Sequence, residues 1–239
     1  MPTLRLAALN IDGVLLNDTF SPVIHHFIVS RGGTYTAELE RSVFSQPRHI
    51  AGRLLAAAVG GGMTGEAALA AYFEERAAYV DRHPVTITPG TPDLLHRLRR
   101  AGLQTVCYGG LGKDHFDRHL GSYADLFDGP GYVCTNDIRP GFKEITEDVF
   151  RLRPGQALFV DDVARTADAA RELGTAFVGH PSAFVHSHQR DLMREAGVRH
   201  VISSLDALDD ALLHRIDREM SSDSFWSPSR PATGQGSRA

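Results

Sequence analysis

One apolar run near the N-terminus limits what this chain can become. Residues 4–16 read LRLAALNIDGVLL: after Arg5 the run is broken only by Asn10, Asp12 and Gly13, and is then apolar again. The run is too short for a buried helix and reads as a central parallel strand, covered on both faces. Alternation along a strand points Asn10 and Asp12 the same way, with Ile11 opposite. Gly13 lets the backbone leave the strand tightly. In an open α/β sheet, ligands bind at the carboxyl ends of the strands, which is where Asn10 and Asp12 stand.

Beyond this strand the chain changes character twice. Between residues 17 and 83 only helix signals appear. Ser21-Pro22 reads as an N-cap with proline at the first helical position, Thr36 and Thr64 read as caps, Pro47 opens a further helix, and Gly32-Gly33 and Gly60-Gly61-Gly62 end the first and third. Afterwards helices and strands alternate. Thr91-Pro92 starts a helix, LQTVCY reads as a strand, and DHFDRHL is helical. GYVCTN is extended, KEITEDVFRL helical, ALFVDD a strand and ARTADAAREL helical. TAFVG is a strand, Ser182 caps a helix AFVHSHQRDLMREA, RHVI is a short strand, and a last helix runs from Leu205. That alternation predicts an α/β fold, a doubly wound parallel sheet, with an inserted helical domain. The expected boundaries are residues 1–16 and 86–220 for the core and 17–85 for the insertion. Residues 221–239, rich in Ser, Pro and Gly, are expected to be a disordered tail, with Phe225 and Trp226 an isolated aromatic pair in it.

Composition excludes several classes. Net charge is −4 with no basic block, which gives nucleic acid no footing. No apolar run approaches a membrane span. Two cysteines, Cys107 and Cys134, are too few for a disulfide framework. With no charged-then-apolar leader in view, the expected compartment is the cytoplasm.

The carboxylates sit where chemistry is done. Asp161-Asp162 ends strand ALFV, and adjacent carboxylates at a strand end can offer oxygen ligands to a hard cation. GGLGK after Tyr108 is no nucleotide-binding loop, because Asp114 follows the lysine where Ser or Thr is needed. Gly109 and Gly110 could still present backbone N–H groups to an anion.

A strand ending Asn-x-Asp-Gly, a helical insertion directly after it, the segment TPGTPDLLHRLRRAGLQTV and a later strand ending Asp-Asp together resemble the haloacid dehalogenase superfamily, in its members with a small helical cap. The resemblance spans residues 4–213. It implies an aspartyl-phosphate mechanism with magnesium and a small phosphorylated metabolite. It puts Asn10 at the nucleophile position, where the family has Asp, and Asp12 at the general acid and base. Tyr108 falls where the family has a Ser or Thr that holds phosphate. Arg139, or alternatively Lys143, stands for the charge-neutralising lysine. The backbone carbonyl of Asp12 and the side chains of Asp161 and Asp162 stand for the metal ligands.

A neutral amide is a far poorer nucleophile than a carboxylate, so phosphatase chemistry is expected to be impaired and magnesium weakly held. The alternatives are an active magnesium-dependent phosphatase and a non-catalytic interaction module. His25, on the first helix of the insertion, is a candidate substrate contact. His186 and His188, two apart on an expected helix, do not share a face and make no metal pair. A homodimer or a protein partner is left open.

Overall fold

The computed structural model describes residues 3–227. Five parallel strands form one sheet in the order β3-β2-β1-β4-β5. They are β1 (Leu6–Asn10), β2 (Gln104–Gly109), β3 (Tyr132–Cys134), β4 (Ala157–Asp161) and β5 (Ala176–Gly179). Every residue of β1 is buried, as a strand flanked on both edges and covered on both faces must be. The chain moves outward from β1 through β2 to β3, then returns to β4 on the other side. The order therefore reverses beside β1, and the crevice of a doubly wound sheet opens there. Register sets Asn10 opposite Tyr108 and Leu9 opposite Val160, so the ends of β1, β2 and β4 lie side by side.

Four helices follow β1 directly: α1 (Ser21–Val29), α2 (Ala37–Val43), α3 (Arg48–Val59) and α4 (Gly65–Arg82). They gather a hydrophobic cluster of their own around Val23, Phe27, Ile28, Leu55 and Tyr72. The chain enters and leaves them through adjacent segments, with Asn17 N–H donating to the Thr86 carbonyl and Thr88 N–H to that of Leu15. Thr36 and Thr64 cap α2 and α4, accepting from Leu39 and Ala67 N–H. Ser21 does not cap α1. Asp18 does, its Oδ1 accepting from Phe20 and Ser21 N–H, because an acceptor three residues back reaches the open turn better than a serine already inside it.

The helices α5 (Thr91–Arg100), α6 (Lys113–Leu120), α7 (Ala164–Leu173), α8 (Gln189–Glu195) and α9 (Asp210–Ser221) belong to the sheet's side. On α5, Leu94, Leu95 and Leu98 are buried, Arg99 and Arg100 are exposed, and Arg97 donates to the Leu205 and Leu208 carbonyls.

Four local expectations change. Helix α8 begins only at Gln189: Ser182 donates to Asp18 Oδ2 instead of capping it, and the rings of Phe184 and His186 pack against His25. RHVI makes one bridge, Val201 to Gly179, and no strand. KEITEDVFRL closes into a single π-helical turn, Glu144–Val149. The tail begins later than residue 221. Phe225 is buried in the core cluster and Trp226 Nε1 donates to the Thr175 carbonyl at 2.8 Å, since two large aromatic rings have more to gain by burial than by solvation. The rest of the expected tail, residues 228–239, lies outside the described residues.

Candidate active site

The sheet's carboxyl edge and the four inserted helices enclose a cavity of about 130 Å³. Its floor includes Asn10 and Asp12 from the end of β1 and Asp161 and Asp162 from the end of β4; Gly110, Asn136 and Arg139 join them from the loops after β2 and β3. Gly13, at φ +85°, turns the chain so closely past β4 that a Cβ there would overlap the Asp162 carboxylate. Gly110 makes room in the same way for the Arg139 guanidinium.

The floor is cross-linked by its own side chains. Asn10 Nδ2 donates to Asp162 Oδ1 at 2.9 Å. The Tyr108 hydroxyl donates to Asp161 Oδ2 at 2.5 Å, and Val163 N–H donates to the other oxygen of the same carboxylate at 2.8 Å. Because β1 lies between β2 and β4, the phenol crosses a whole strand to get there. Its ring packs edge-on against Phe142 and Phe159, and the residue is fully buried. Tyr108 therefore does not hold a ligand: it is a core residue whose one polar atom is spent on Asp161.

Burial raises the pKa of Asp161 from its ordinary value, opposed by the hydrogen bonds from Tyr108 and Val163 and by the Arg139 charge. Burial raises Asp162 further, reinforced by the neighbouring Asp161 and by Asp18. Tyr108 is pushed up by burial and then by the Asp161 charge beside it. Each of these groups resists ionisation because its surroundings solvate charge poorly.

Asp12 is held differently. His115 Nε2 lies 2.9 Å from its Oδ1, and both side chains are largely buried. His115 sits in the first turn of α6, directly beyond the glycine loop. Its position just past a strand end is the one sequence signal that could have found it. Arg48, Asp18 and Tyr72 also line the cavity and carry no such signal. Arg48 Nη2 donates to the Gly110 carbonyl at 3.0 Å.

Of the two candidate cations, Arg139 lines the cavity and its Nε is buried without a partner; Lys143 is exposed and does not line it. The Gly109 carbonyl accepts from Thr135 N–H and Oγ1, and Gly109 is not among the cavity's lining residues, whereas Gly110 is. His25 stacks on His186 at 4.2 Å between ring centroids, edge-on to Tyr35 and Phe184, and is not among the cavity's lining residues. A short α-helix offers several faces, and this ring took the aromatic one.

These residues do not fit a tightly held magnesium ion. Magnesium needs near-octahedral oxygen donors with charge to offset its own. Here Asn10 turns an N–H toward Asp162, and a hydroxyl proton already occupies Asp161. Among the described residues, no three His, Cys, Asp or Glu side chains converge as a metal site. The arrangement can accept an anion at Arg139 and exchange a proton at Asp12. It offers no carboxylate at position 10 for covalent attack.

Solved structures share this architecture. A β-phosphoglucomutase from Clostridium difficile is 15% identical, with a TM-score of 0.67 over 92% of this chain and 99% of that one. A phosphonoacetaldehyde hydrolase-like protein from Oleispira antarctica is 14% identical, with a TM-score of 0.68 over 92% and 95%. A HAD family hydrolase from Deinococcus radiodurans, with bound phosphate and sodium, is 17% identical, with a TM-score of 0.58 over 90% and 97%. No family model matches the sequence, and no curated protein is similar enough in sequence to count as a match.

Proposed function

We propose, from the haloacid dehalogenase-like fold that this chain shares with those structures, that it is a capped binding protein for a small anionic metabolite, and that it does not run aspartyl-phosphate chemistry. One observation carries the reading. The two carboxylates at the end of β4 are each held by a donor from the chain itself, Asp162 by Asn10 and Asp161 by Tyr108. An Asp at position 10 would repel Asp162 unless a cation lay between them; an Asn binds it. The floor is stable as it stands, without added charge.

The geometry supports these roles. Arg139 supplies the positive charge toward the cavity. Asp12, paired with His115, keeps a polar, proton-exchanging group at the floor. The four inserted helices wall the cavity from above and leave it partly open to solvent. Any magnesium binding is in the millimolar range or weaker, on the order expected of a site short of carboxylates.

The reading is tested by melting the protein against small phosphate esters and carboxylates while phosphate release is measured in the same samples with magnesium present. The expected result is stabilisation by at least one anion with no release. Release at about one per second, a typical enzyme rate, would make the chain a working phosphatase.

A further inference from the structure

The walls of the cavity bear on what the anion is attached to. The wall supplied by the inserted segment is mainly apolar, with Ile24, Phe44, Leu55, Leu69 and Phe73 in it. Polar groups on that wall are few, chiefly Ser45, Gln46 and the Tyr72 hydroxyl, so a sugar or glycerol body set among Ile24, Leu55 and Leu69 would give up more hydrogen bonds to water than it regained. At the other end stands Arg139. Arg48 donates to the Gly110 carbonyl through one nitrogen and lies over the Phe73 ring at 5.3 Å, whereas Arg139 has a buried Nε with no partner and is the guanidinium set to meet a head group.

Three buried polar atoms of lining residues lack a partner: Arg139 Nε, Ser45 Oγ and the Tyr72 hydroxyl. Buried donors are rarely left unmade, so these atoms mark where a ligand's few polar atoms belong. Size narrows the choice further. A closed apolar cavity of about 150 Å³ takes benzene; this one offers about 130 Å³ and is partly open to solvent, so a body of about that size seats with one edge at the mouth.

We propose that the ligand is a small amphiphile: one anionic head, carboxylate or phosphate, forked by Arg139, on an apolar body about as large as a benzene ring seated among Ile24, Leu55 and Leu69. This rests on the reading of the cavity as an anion site and names its ligand class. A planar guanidinium with an unsatisfied Nε suits either head.

Calorimetric titration of the full chain with four probes tests it: phenylacetate, phenyl phosphate, benzyl alcohol and glycerol 3-phosphate. The expected result is that phenylacetate or phenyl phosphate binds at least about tenfold tighter than both other probes, a factor in keeping with one charge-assisted hydrogen bond. Comparing the first two separates the carboxylate from the phosphate head. Arg139→Gln is expected to lose at least about tenfold for the anionic phenyl probes while leaving benzyl alcohol unchanged. Leu69→Ser, at a half-buried wall position, is expected to weaken all three phenyl probes.

Should Arg139→Gln melt out, the four-probe comparison on the native chain decides alone. Glycerol 3-phosphate binding as tightly as phenyl phosphate would overturn the amphiphile and leave the anion site standing. Benzyl alcohol binding as tightly as phenylacetate would overturn both. Binding by none of the four would also overturn both.

Discussion

Asn10→Asp removes the amide N–H that Asp162 Oδ1 accepts at 2.9 Å and sets a second carboxylate in its place. Two full charges at that separation repel by about 6 kcal/mol at an effective dielectric of about 20. The chain avoids most of that by keeping a proton on the pair. The lost hydrogen bond to a charged acceptor was worth about 1.5–3 kcal/mol. Together these set a net cost of about 2–4 kcal/mol at pH 7.5, or roughly 5–15 °C in melting temperature for a chain of this size. The cost shrinks at pH 5.5, where the shared proton is cheaper.

Magnesium separates the variant from the parent. The new carboxylate gives a cation a charged oxygen, so millimolar magnesium is expected to restore part of the variant's stability and to move the parent by about 1 °C or less. Urea or thermal melts at both pH values, with and without magnesium chloride, measure all of this. An Asn10→Asp protein as stable as the parent at pH 7.5 without metal would contradict the charge balance drawn here. So would a parent that gains as much from magnesium as the variant does. Phosphate-ester turnover by Asn10→Asp is expected to stay well below about one per second even with the metal, because Tyr108 cannot place a phosphoryl group in line.

Other substitutions probe the same floor. Asp162 is raised on folding, so the native chain binds more protons than the unfolded one above the ordinary carboxylate value of 3.8, and stability falls as pH climbs from there through the folded pKa; Asp162→Asn is expected to flatten that slope in pH-dependent melts. Tyr108→Phe leaves Asp161 short of one donor and is expected to cost about 1–3 kcal/mol, whereas Tyr108→Ser, which opens a void beneath β1, is expected to cost about 3–5 kcal/mol; denaturant titration ranks them. Gly110→Ala pushes the Arg139 guanidinium out of its place and is expected to weaken phenyl phosphate binding by about tenfold, read by calorimetry.

The sheet was legible because its signals are local and repeated. An apolar run with polar residues only at its end could be little but a buried strand, and later helices and strands alternated with clear stops. Thr36 and Thr64 announced α2 and α4 by capping chemistry. The site was legible only to the level of strand ends: Asn10, Asp12, Asp161 and Asp162 stand where strand periodicity puts them. What side chains do across strands was not legible. Nothing local to Tyr108 tells that its hydroxyl crosses β1 to Asp161, nor that His115, 103 residues from Asp12 along the chain, pairs with it. His25 was misplaced because the face a short helix presents depends on neighbours far away in sequence, here His186 and Phe184. Phe225 and Trp226 were read by the composition around them and not by their own apolar area.

Whether Asn10 has ended covalent chemistry is decided by a single-turnover experiment, with the unmodified protein in excess over a labelled small phosphate ester, magnesium present and an acid quench. It reads phosphate release and any acid-stable phosphoprotein together. Loss of a nucleophile costs on the order of a millionfold in rate, so from typical enzyme rates the expected result is no phosphoprotein and release no faster than about 10⁻³ per second. A phosphoprotein formed at about one per second would contradict it, since some side chain would then be doing what Asn10 cannot.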